Sequence, residues 1–368
     1  MRVLEVCVDL DGGGIDRYLL NYCSRIKDIH FDFAIVENGK VGVLEKDILA
    51  MGSNIYRVPR QTLGIKENYK ALKKIMTENK YDAVHVHLGY KSAVALLCAK
   101  NAKIKARACH AHIAYEPENT KQKILRKVFT LLTKALATNL LACGIDAAKW
   151  VWGEKEYEQG KIWVQHNAID TKKFAFSEEK RENARKDLGI EGGCFAVGHV
   201  GRLCEQKNQL RLVDIFKEIL KKNPNAHLFM VGRGHLEDAI KERIKEHGIE
   251  EKVTLLGIRD DVSSLLNAFD VFVFPSTHEG LPFTLIETQC NGLYAVSADT
   301  VTDEVKLGEC VKFLSLEDSD ELWAREALEL SKAGHKASEL DNVISSGYDI
   351  DTEAEKLRKY YFDISGVK

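Results

Sequence analysis

Short apolar runs alternate with amphipathic segments along most of the chain, and this alternation limits the possible folds more than any other feature. The runs are rich in Val, Ile, Leu and Phe, as in "RVLEVCVD" and "AVHVHL" early on and "AHLFMVG" and "VFVFPS" later. Segments between them, such as "IKENYKALKKIMTENK", repeat apolar residues with the 3.6-residue period of a helix. Strands that alternate with helices in this way are typical of α/β proteins with parallel sheets.

The alternation lapses once, over residues 171–193, where the chain is polar and ends in Gly-Gly. It then restarts, and each half opens with a strand that runs into a glycine-bearing turn. A chain of 368 residues is long enough for two domains of ordinary size. We therefore predict a first domain at 1–170, a linker at 171–193, a second domain at 194–345 and a final helix at 346–368.

Composition and charge exclude several classes of protein. The net charge of −2 argues against a dedicated nucleic-acid binder. The nine cysteines are scattered, with no CxxC pair, as expected in a reducing cytosol. The start "MRVLEVCVDL" does not resemble a signal peptide, and no apolar stretch reaches the ~20 residues of a membrane span. We therefore expect a cytoplasmic protein.

The stretch "PSTHEGLPFTLIETQCNG" follows the apolar run "DVFVFPS" and carries two carboxylates, Glu279 and Glu287. Pro282 suits the start of a helix, which would bring the amides of Phe283 and Thr284 and the positive end of the helix dipole to the strand edge. Ligands of parallel sheets bind at that edge. A carboxylate at Glu287 can accept two hydrogen bonds from a ribose diol. The alternative is a loop carboxylate followed by a helix-surface charge.

A second cluster of candidate residues lies in "VGHVGRLCEQKNQL", where Gly201 and Arg202 follow a predicted strand and Lys207 precedes a helix. Arginine offers a planar fork and lysine a point charge, a combination suited to a diphosphate. Alone, the two cations would be interpreted as solvated loop residues. Together with Glu279 and Glu287 they favour a nucleotide-binding site.

The first strand ends in "DLDGGGIDRYLLNY", so the glycines Gly12, Gly13 and Gly14 precede a predicted helix. A glycine turn there lets backbone amides approach an anion. The spacing is not GxGxxG, and a tight turn without a ligand is an equal alternative.

Two strands carry paired histidines, His85 and His87 in "AVHVHLGY" and His110 and His112 in "ARACHAHIAYE". The i, i+2 spacing places each pair on one face of the sheet. Three interpretations stay open: a metal site, histidines satisfied at strand ends, and polar contacts to a substrate. Because no Asp, Glu or Cys partner stands at ligand spacing, we predict no metal ion.

These residues resemble a known family. The segments "HVGRLCEQKN", "MVGRGHLE", "LLGIRDDV", "PSTHEGLPFTLIET" and "VQHNAIDTKKF" are similar to those of the family 4 retaining glycosyltransferases, and most similar to bacterial members that build capsular polysaccharide, exopolysaccharide or lipopolysaccharide. "GGGIDRYLLNY" and "DAVHVH" match more loosely but in order. The resemblance implies the GT-B fold, in which two Rossmann-like domains with parallel sheets face each other across an interdomain cleft. It implies an acceptor-binding first domain and a second domain that binds a nucleotide sugar.

The resemblance also implies roles for individual residues. Arg202 and Lys207 would hold the donor diphosphate, Glu287 the ribose and Glu279 the donor sugar, while Ile258 and Arg259 would recognise the base. The implied donor-binding set is Gly13, Gly14, Gly201, Arg202, Lys207, Ile258, Arg259, Glu279, Gly280, Leu281, Pro282, Phe283, Thr284 and Glu287. The implied catalytic residues are Glu279, His112, Arg202 and Lys207. The acceptor-side candidates are His87, His110 and His112, and either His110 or His112 closes over the donor sugar.

The implied activity is a retaining hexosyl transfer (EC 2.4) from a nucleotide diphosphate sugar to a saccharide, in cell-surface polysaccharide synthesis. UDP is preferred because it is the commonest nucleotide among the proteins that the chain resembles. We expect no cofactor and no metal ion. The alternatives are a sugar-nucleotide epimerase of the same fold and a non-catalytic nucleotide-sugar-binding partner.

A membrane partner is suggested by the charge of residues 51–140, which hold 17 Lys and Arg against 5 Asp and Glu. Within them, "TKQKILRKVFTLLTKALA" predicts a basic amphipathic helix. We predict a peripheral enzyme at the inner face of the plasma membrane with a lipid-diphosphate-linked acceptor. The alternative is an ordinary solvated face over a buried stripe.

Overall fold

The computed structural model describes residues 1–11, 13–112, 119–337 and 339–367. It divides into two compact units. The first comprises residues 1–168 and 350–368, and the second comprises residues 169–349.

The first unit is built on a sheet that contains seven parallel strands among its described residues, in the order β3-β2-β1-β4-β5-β6-β7. Strand β4 is buried at every position, as expected of a parallel sheet covered on both faces. The strands are β1 (Arg2–Val6), β2 (His30–Val36), β3 (Ile55–Val58), β4 (Ala83–Val86), β5 (Ala106–Ala111), β6 (Asn139–Ala142) and β7 (Ile162–Val164).

Helices connect these strands, and several of them bury apolar side chains against the sheet. Leu4 and Val84 of the sheet share a core with Leu96 and Trp152 of two helices, and each such side chain stabilises the fold by about 1.5–3 kcal/mol. The helices are α1 (Gly14–Arg25), α2 (Glu45–Ala50), α3 (Ile65–Asn79), α4 (Ala93–Asn101), α5 (Thr120–Leu136), α6 (Ile145–Trp152) and α7 (Glu154–Glu158).

The second unit repeats this architecture. Its described residues form six parallel strands in the order β10-β9-β8-β11-β12-β13. The strands are β8 (Phe195–Val200), β9 (Ala226–Val231), β10 (Val253–Gly257), β11 (Val271–Phe274), β12 (Ala295–Ala298) and β13 (Val311–Leu314). The helices are α8 (Thr171–Phe174), α9 (Glu178–Asp187), α10 (Gln209–Lys222), α11 (Glu237–Glu246), α12 (Val262–Ala268), α13 (Phe283–Cys290), α14 (Asp320–Ser331) and α15 (Glu339–Val343). The prediction of two α/β units with parallel sheets is confirmed.

The segment 171–193, expected to be a linker, contains helices α8 and α9 and groups with the second unit. Arg181 of α9 donates hydrogen bonds to the carbonyls of Asn267 and Phe269, each at 2.9 Å, and pairs with Asp270. These bonds explain why a polar segment with few apolar residues is nevertheless ordered.

The last helix, α16 (Ile350–Ser365), packs against α1 and completes the first unit. Arg358 pairs with Asp28, and Arg25 with Asp351, at the helix surface. Because such exposed pairs contribute about 0–1 kcal/mol, the buried Leu357 and Tyr361 account for most of the docking energy.

Candidate functional site

The loop after β8 carries Gly201, Arg202 and Lys207. Gly201 leaves little room for a side chain, since a Cβ there would lie 3.2 Å from Lys207 Cδ and 3.3 Å from His199 Nε2. Gly232, at the end of the neighbouring strand, has a φ of +135°, and its Cβ would lie 2.0 Å from the carbonyl oxygen of Gly201. The close backbone approach at this strand edge therefore requires glycine at position 232.

A buried glutamine, Gln209, holds this loop in place. Its Nε2 donates to the carbonyl of Arg202 at 2.8 Å, and its Oε1 accepts from the amide of Cys204 at 3.2 Å. His199 lies behind it: Nδ1 donates to the carbonyl of Val273 at 2.9 Å, and Nε2 lies 3.2 Å from Gln209 Nε2. Burial lowers the pKa of His199 to about 4, so the ring is neutral and accepts from the amide. The loop conformation thus depends on two neutral side chains.

Lys207 and Glu279, both predicted as catalytic, meet in the structure. Lys207 Nζ lies 2.6 Å from Glu279 Oε1, and the side chains are 15% and 9% exposed. The ammonium also lies 4.6 Å from the centre of the Phe274 ring, a cation–π arrangement. A cation and an anion thus adjoin at the carboxyl edge of the sheet, where α/β proteins bind ligands.

The loop that contains Glu279 is hydrogen-bonded to the loop that contains Lys207. The amide of Thr277 donates to the carbonyl of Gln206 at 2.8 Å, and Gln206 Nε2 donates to the carbonyl of His278 at 2.9 Å. Asn208 Nδ2 donates to the carbonyl of Pro275 at 3.1 Å. The two predicted segments therefore form one surface.

Helix α13 begins after Pro282, as the sequence predicts. Its first turn holds Phe283 and Thr284, and no side-chain cap is found at Pro282. Glu287, one turn further on, is only 4% exposed. The preceding residues, Gly280 and Leu281, connect Glu279 to this helix start.

The candidates for base recognition follow β10. Ile258 is 63% exposed. Arg259 pairs with Asp261, with Nε 2.7 Å from Oδ1. An exposed apolar side chain beside an oriented guanidinium offers a surface on which a base can stack.

The glycine turn of the first unit differs from the predicted anion site. The amide of Gly13 donates to Asp16 Oδ2 at 2.9 Å, and this carboxylate lies in the first turn of α1. Because a negative charge already occupies the helix start, an anion would have to compete with Asp16. Gly14 opens the helix with nothing within 4 Å of a Cβ position, whereas Gly12 lies outside the described residues.

The four histidines come together in the first unit. His85 and His87 are 0% and 3% exposed and His110 is 0% exposed, whereas His112 is half-buried. His87 Nδ1 lies 2.8 Å from His112 Nε2. Of the two residues proposed to close over the donor sugar, only His112 therefore reaches the surface.

Two residues that the sequence analysis missed anchor this cluster. Glu5 Oε2 lies 2.7 Å from His87 Nε2, and the Tyr361 hydroxyl donates to Glu5 Oε1 at 2.9 Å. His85 Nδ1 lies 2.6 Å from the same hydroxyl. Burial raises the pKa of Glu5, against the opposing effects of His85 and Tyr361, and burial lowers the pKa of His87 to about 3. No local pattern marks Glu5 or Tyr361, because each reaches its partners only through tertiary packing.

Helix α5 is amphipathic, and five of its apolar side chains are exposed, whereas Phe129 and Leu136 are half-buried. The exposed fractions are 59% for Ile124, 46% for Leu125, 47% for Val128, 67% for Leu131 and 49% for Leu132. The helix has five basic residues and no acidic one. The stripe is therefore only partly buried. Among the residues that the structure describes, no helix is both long and apolar enough to cross a membrane.

Comparison with known proteins supports the motifs independently. The model of glycosyl transferases group 1 matches residues 180–341, and the model of glycosyltransferase family 4 matches residues 12–173. EpsF of Bacillus subtilis is 28% identical over 98% of this chain and 96% of its own. An Escherichia coli UDP-Gal:alpha-D-GlcNAc-diphosphoundecaprenol alpha-1,3-galactosyltransferase is 32% identical over 76% of this chain and 74% of its own.

Among solved structures, Anabaena Alr3699/HepE in complex with UDP has a TM-score of 0.80 at 20% identity, covering 99% of this chain and 100% of that one. This likeness extends over both α/β units and confirms the predicted fold class. The resemblance inferred from the sequence motifs is likewise confirmed by the family models. The chain belongs to the family 4 (group 1) glycosyltransferases and has the GT-B fold.

Proposed function

We propose that this glycosyltransferase moves a hexosyl residue from a UDP sugar to a saccharide acceptor, with retained configuration, in cell-surface polysaccharide synthesis. The observation that carries the proposal is the pairing of Lys207 with Glu279 beside the Arg202 loop. UDP and UDP-glucose occur in the solved HepE complexes, and the Escherichia coli relative is named for a UDP-Gal donor.

The donor roles follow from the chemistry of the side chains. Lys207 and Arg202 bind the diphosphate and stabilise the charge that develops as it leaves. Glu287 accepts the ribose hydroxyls, and Ile258 and Arg259 contact the base. Glu279 holds the sugar near its reacting carbon, with the backbone from Gly280 to Thr284. Gly201 allows the diphosphate to approach the strand end.

Chemistry at the anomeric carbon needs positioning and charge stabilisation rather than a protein nucleophile. That carbon gains oxocarbenium character as its bond to the diphosphate oxygen breaks. The acceptor hydroxyl attacks from the same face, and its proton passes to an oxygen of the leaving phosphate. The cations Arg202 and Lys207 supply the neutralisation that a metal ion would otherwise provide, so the proposed step needs no metal.

On the acceptor side, half-buried His112 is the histidine suited to contact a sugar hydroxyl. His87 and His110 lie behind it. Gly13 and Gly14 lie under the donor phosphate and the acceptor. The acceptor that fits is a lipid-diphosphate-linked saccharide, the type in the name of the Escherichia coli relative. The exposed apolar and basic face of α5 supports attachment to an anionic membrane surface.

A thermal-shift titration of the full chain with UDP, GDP, ADP, CMP and dTDP tests the donor site. A nucleotide at 100 times its dissociation constant should stabilise the fold by about 2.7 kcal/mol. We expect UDP to stand out and Lys207→Ala to lose the shift. A UDP sugar is then incubated with and without saccharide acceptor. Isomerised nucleotide sugar without acceptor would identify an epimerase, and nucleotide binding without any turnover would identify a non-catalytic partner.

A further inference from the structure

Buried ring nitrogens without hydrogen-bond partners are concentrated in the histidine cluster of the first unit. Among the described residues, His85 Nε2, both nitrogens of His110 and His112 Nδ1 are buried and have no partner. Each unsatisfied group costs about 1–3 kcal/mol. Such groups are rare in folded proteins, and several in one place are explained by a bound water or ion that satisfies them.

Three of these histidines are close enough to share one ion. One ring nitrogen each of His85, His87 and His110 lies within 4.8 Å of the other two. The ring centres are 4.1 Å apart for His85 and His87, 5.3 Å for His85 and His110, and 5.5 Å for His87 and His110. Imidazole nitrogens bound to tetrahedral zinc at 2.0–2.1 Å are about 3.4 Å apart. The side chains must therefore rotate to bring the three nitrogens together around one ion.

The hydrogen-bond network orients two of the rings for this purpose. The Tyr361 hydroxyl donates to Glu5, so it must accept from His85 Nδ1–H, and the lone pair of His85 is left on Nε2. An ionised Glu5 accepts from His87 Nε2–H, which leaves the lone pair of His87 on Nδ1. A histidine that binds a metal ion through one nitrogen usually donates its other N–H to a carboxylate or a similar acceptor.

The three rings are also buried, and burial disfavours the charged form of an imidazole. Neutral imidazoles have free lone pairs, which is the form that binds metal ions. Zinc and its neighbours in the first transition row prefer such nitrogen ligands.

We propose that His85, His87 and His110 bind one divalent transition-metal ion of the zinc class, with Glu5 and Tyr361 as the outer partners that orient the rings. The sequence argued against a metal because no Asp, Glu or Cys stood at ligand spacing, whereas the proposed site uses three histidines and takes Glu5 of β1 only as an outer partner. The site goes beyond the proposed function, since the donor loops of the second unit do not contribute to it. His112 must release His87 Nδ1 when the ion binds, which leaves it free to reorient.

The test uses the full chain without a polyhistidine tag, stripped with chelator and titrated with Co²⁺ and then Zn²⁺. Stoichiometry is measured by elemental analysis after dialysis, and coordination by the visible absorption of Co²⁺ and by X-ray absorption. We expect one ion per chain, with three or more nitrogen ligands at about 2.0–2.1 Å. The variants are His85→Ala and His110→Ala for the ligands and Glu5→Gln for the outer partner. The matched control is His235→Ala, whose side chain is 63% exposed.

Support requires that His85→Ala and His110→Ala lose the ion, that Glu5→Gln binds it about 10- to 100-fold more weakly, and that His235→Ala binds as the parent does. The proposal is overturned if the parent chain binds no stoichiometric ion, or if fewer than three nitrogens surround it. It is also overturned if either ligand variant binds as the parent does. The parent result decides the matter if a variant does not fold. UDP binding is measured in parallel, so failure of the metal site is distinguishable from failure of the proposed function.

Discussion

Lys207 Nζ and Glu279 Oε1 lie 2.6 Å apart, although the residues are 72 positions apart in the sequence. The pair joins the loop after β8 to the loop after β11 on one sheet edge. Without a ligand each charge compensates the other, so a bound donor diphosphate must share or replace this interaction. The predictions below begin with this pair.

Replacing Lys207 with Ala removes the cation assigned to the diphosphate and leaves Glu279 unpaired. We expect kcat/KM to fall about 100- to 1000-fold and the fold to lose about 1.5–3 kcal/mol. Glu279→Gln should retain UDP binding within a few-fold but lose turnover, because it contacts the sugar rather than the nucleotide. Kinetics and UDP titration check both variants. Lys241→Ala, which breaks an exposed pair with Glu237, should change neither kcat/KM nor UDP binding. An equal loss in this variant would contradict the role of Lys207 in binding the diphosphate.

Replacing Gln209 with Ala removes the side chain that holds the Arg202 loop. The carbonyl of Arg202 would lose its partner at a cost of about 1–3 kcal/mol, and UDP should bind roughly 10-fold more weakly as the loop shifts. Calorimetry with UDP measures this effect. Gln206→Ala removes a more exposed hydrogen bond and should have a smaller effect. Equal effects of the two variants would show that Gln209 does not hold the loop.

Replacing Gly232 with Ala tests the close backbone approach. The new Cβ would lie 2.0 Å from the Gly201 carbonyl at a φ of +135°, so the strand ends must separate. We expect the fold to lose at least about 1–3 kcal/mol of stability and the protein to bind UDP more weakly. Gly248→Ala has a φ of +64° but no neighbour within 4 Å. Chemical denaturation should show the smaller loss for Gly248→Ala, and the reverse order would contradict the steric argument.

Asp32 should make the stability of the protein depend on acid pH. Burial raises its pKa, but hydrogen bonds from Asn54, Tyr81 and Arg2 outweigh this effect, and the net pKa lies below the usual value. A carboxylate with a lowered folded pKa contributes stability above its unfolded pKa of about 3.9, and this contribution disappears as the pH falls through the folded pKa. Asp32→Asn should therefore be less stable than the parent at pH 7, with the difference shrinking below about pH 4. Urea unfolding of both proteins across this pH range measures the difference in stability. A difference that stays constant with pH would contradict the prediction.

The exposed stripe of α5 should bind anionic membranes. Leu131→Glu places a negative charge at a position that is 67% exposed, so it should abolish flotation with anionic vesicles without changing the melting temperature. The interaction should weaken with salt, because basic residues near the surface contribute about 1 kcal/mol each. Leu63→Glu, at an 86% exposed position outside α5, is the control and should float normally. If the parent does not bind at low salt, or if Leu131→Glu binds equally, the membrane hypothesis fails.

Local patterns were sufficient for the fold, and they marked the loops that we propose to bind the donor. Apolar runs and helical periodicity predicted the parallel strands, and Pro282 marked the start of α13. The segments around Lys207 and Glu279 were recognisable because, within each segment, the candidate residues are close together in sequence. The cations of one segment and the carboxylates of the other also have complementary chemistry. The polar segment 171–193 was harder to predict, because α9 is ordered by bonds to carbonyls near Asn267 rather than by an apolar stripe.

The sequence by itself thus determined the two α/β units, the glycine turns, the cationic loop and the identity of the histidine pairs, since each depends on neighbours along the chain. Only the tertiary structure decided that Asp16 accepts the hydrogen bond of the Gly13 amide and that apolar side chains of α5 are exposed. It also decided that Glu5 and Tyr361 are hydrogen-bonded to the histidine cluster. These contacts join residues from separate strands and helices. Burial and hydrogen-bond partners are properties of packing, and no local pattern encodes them.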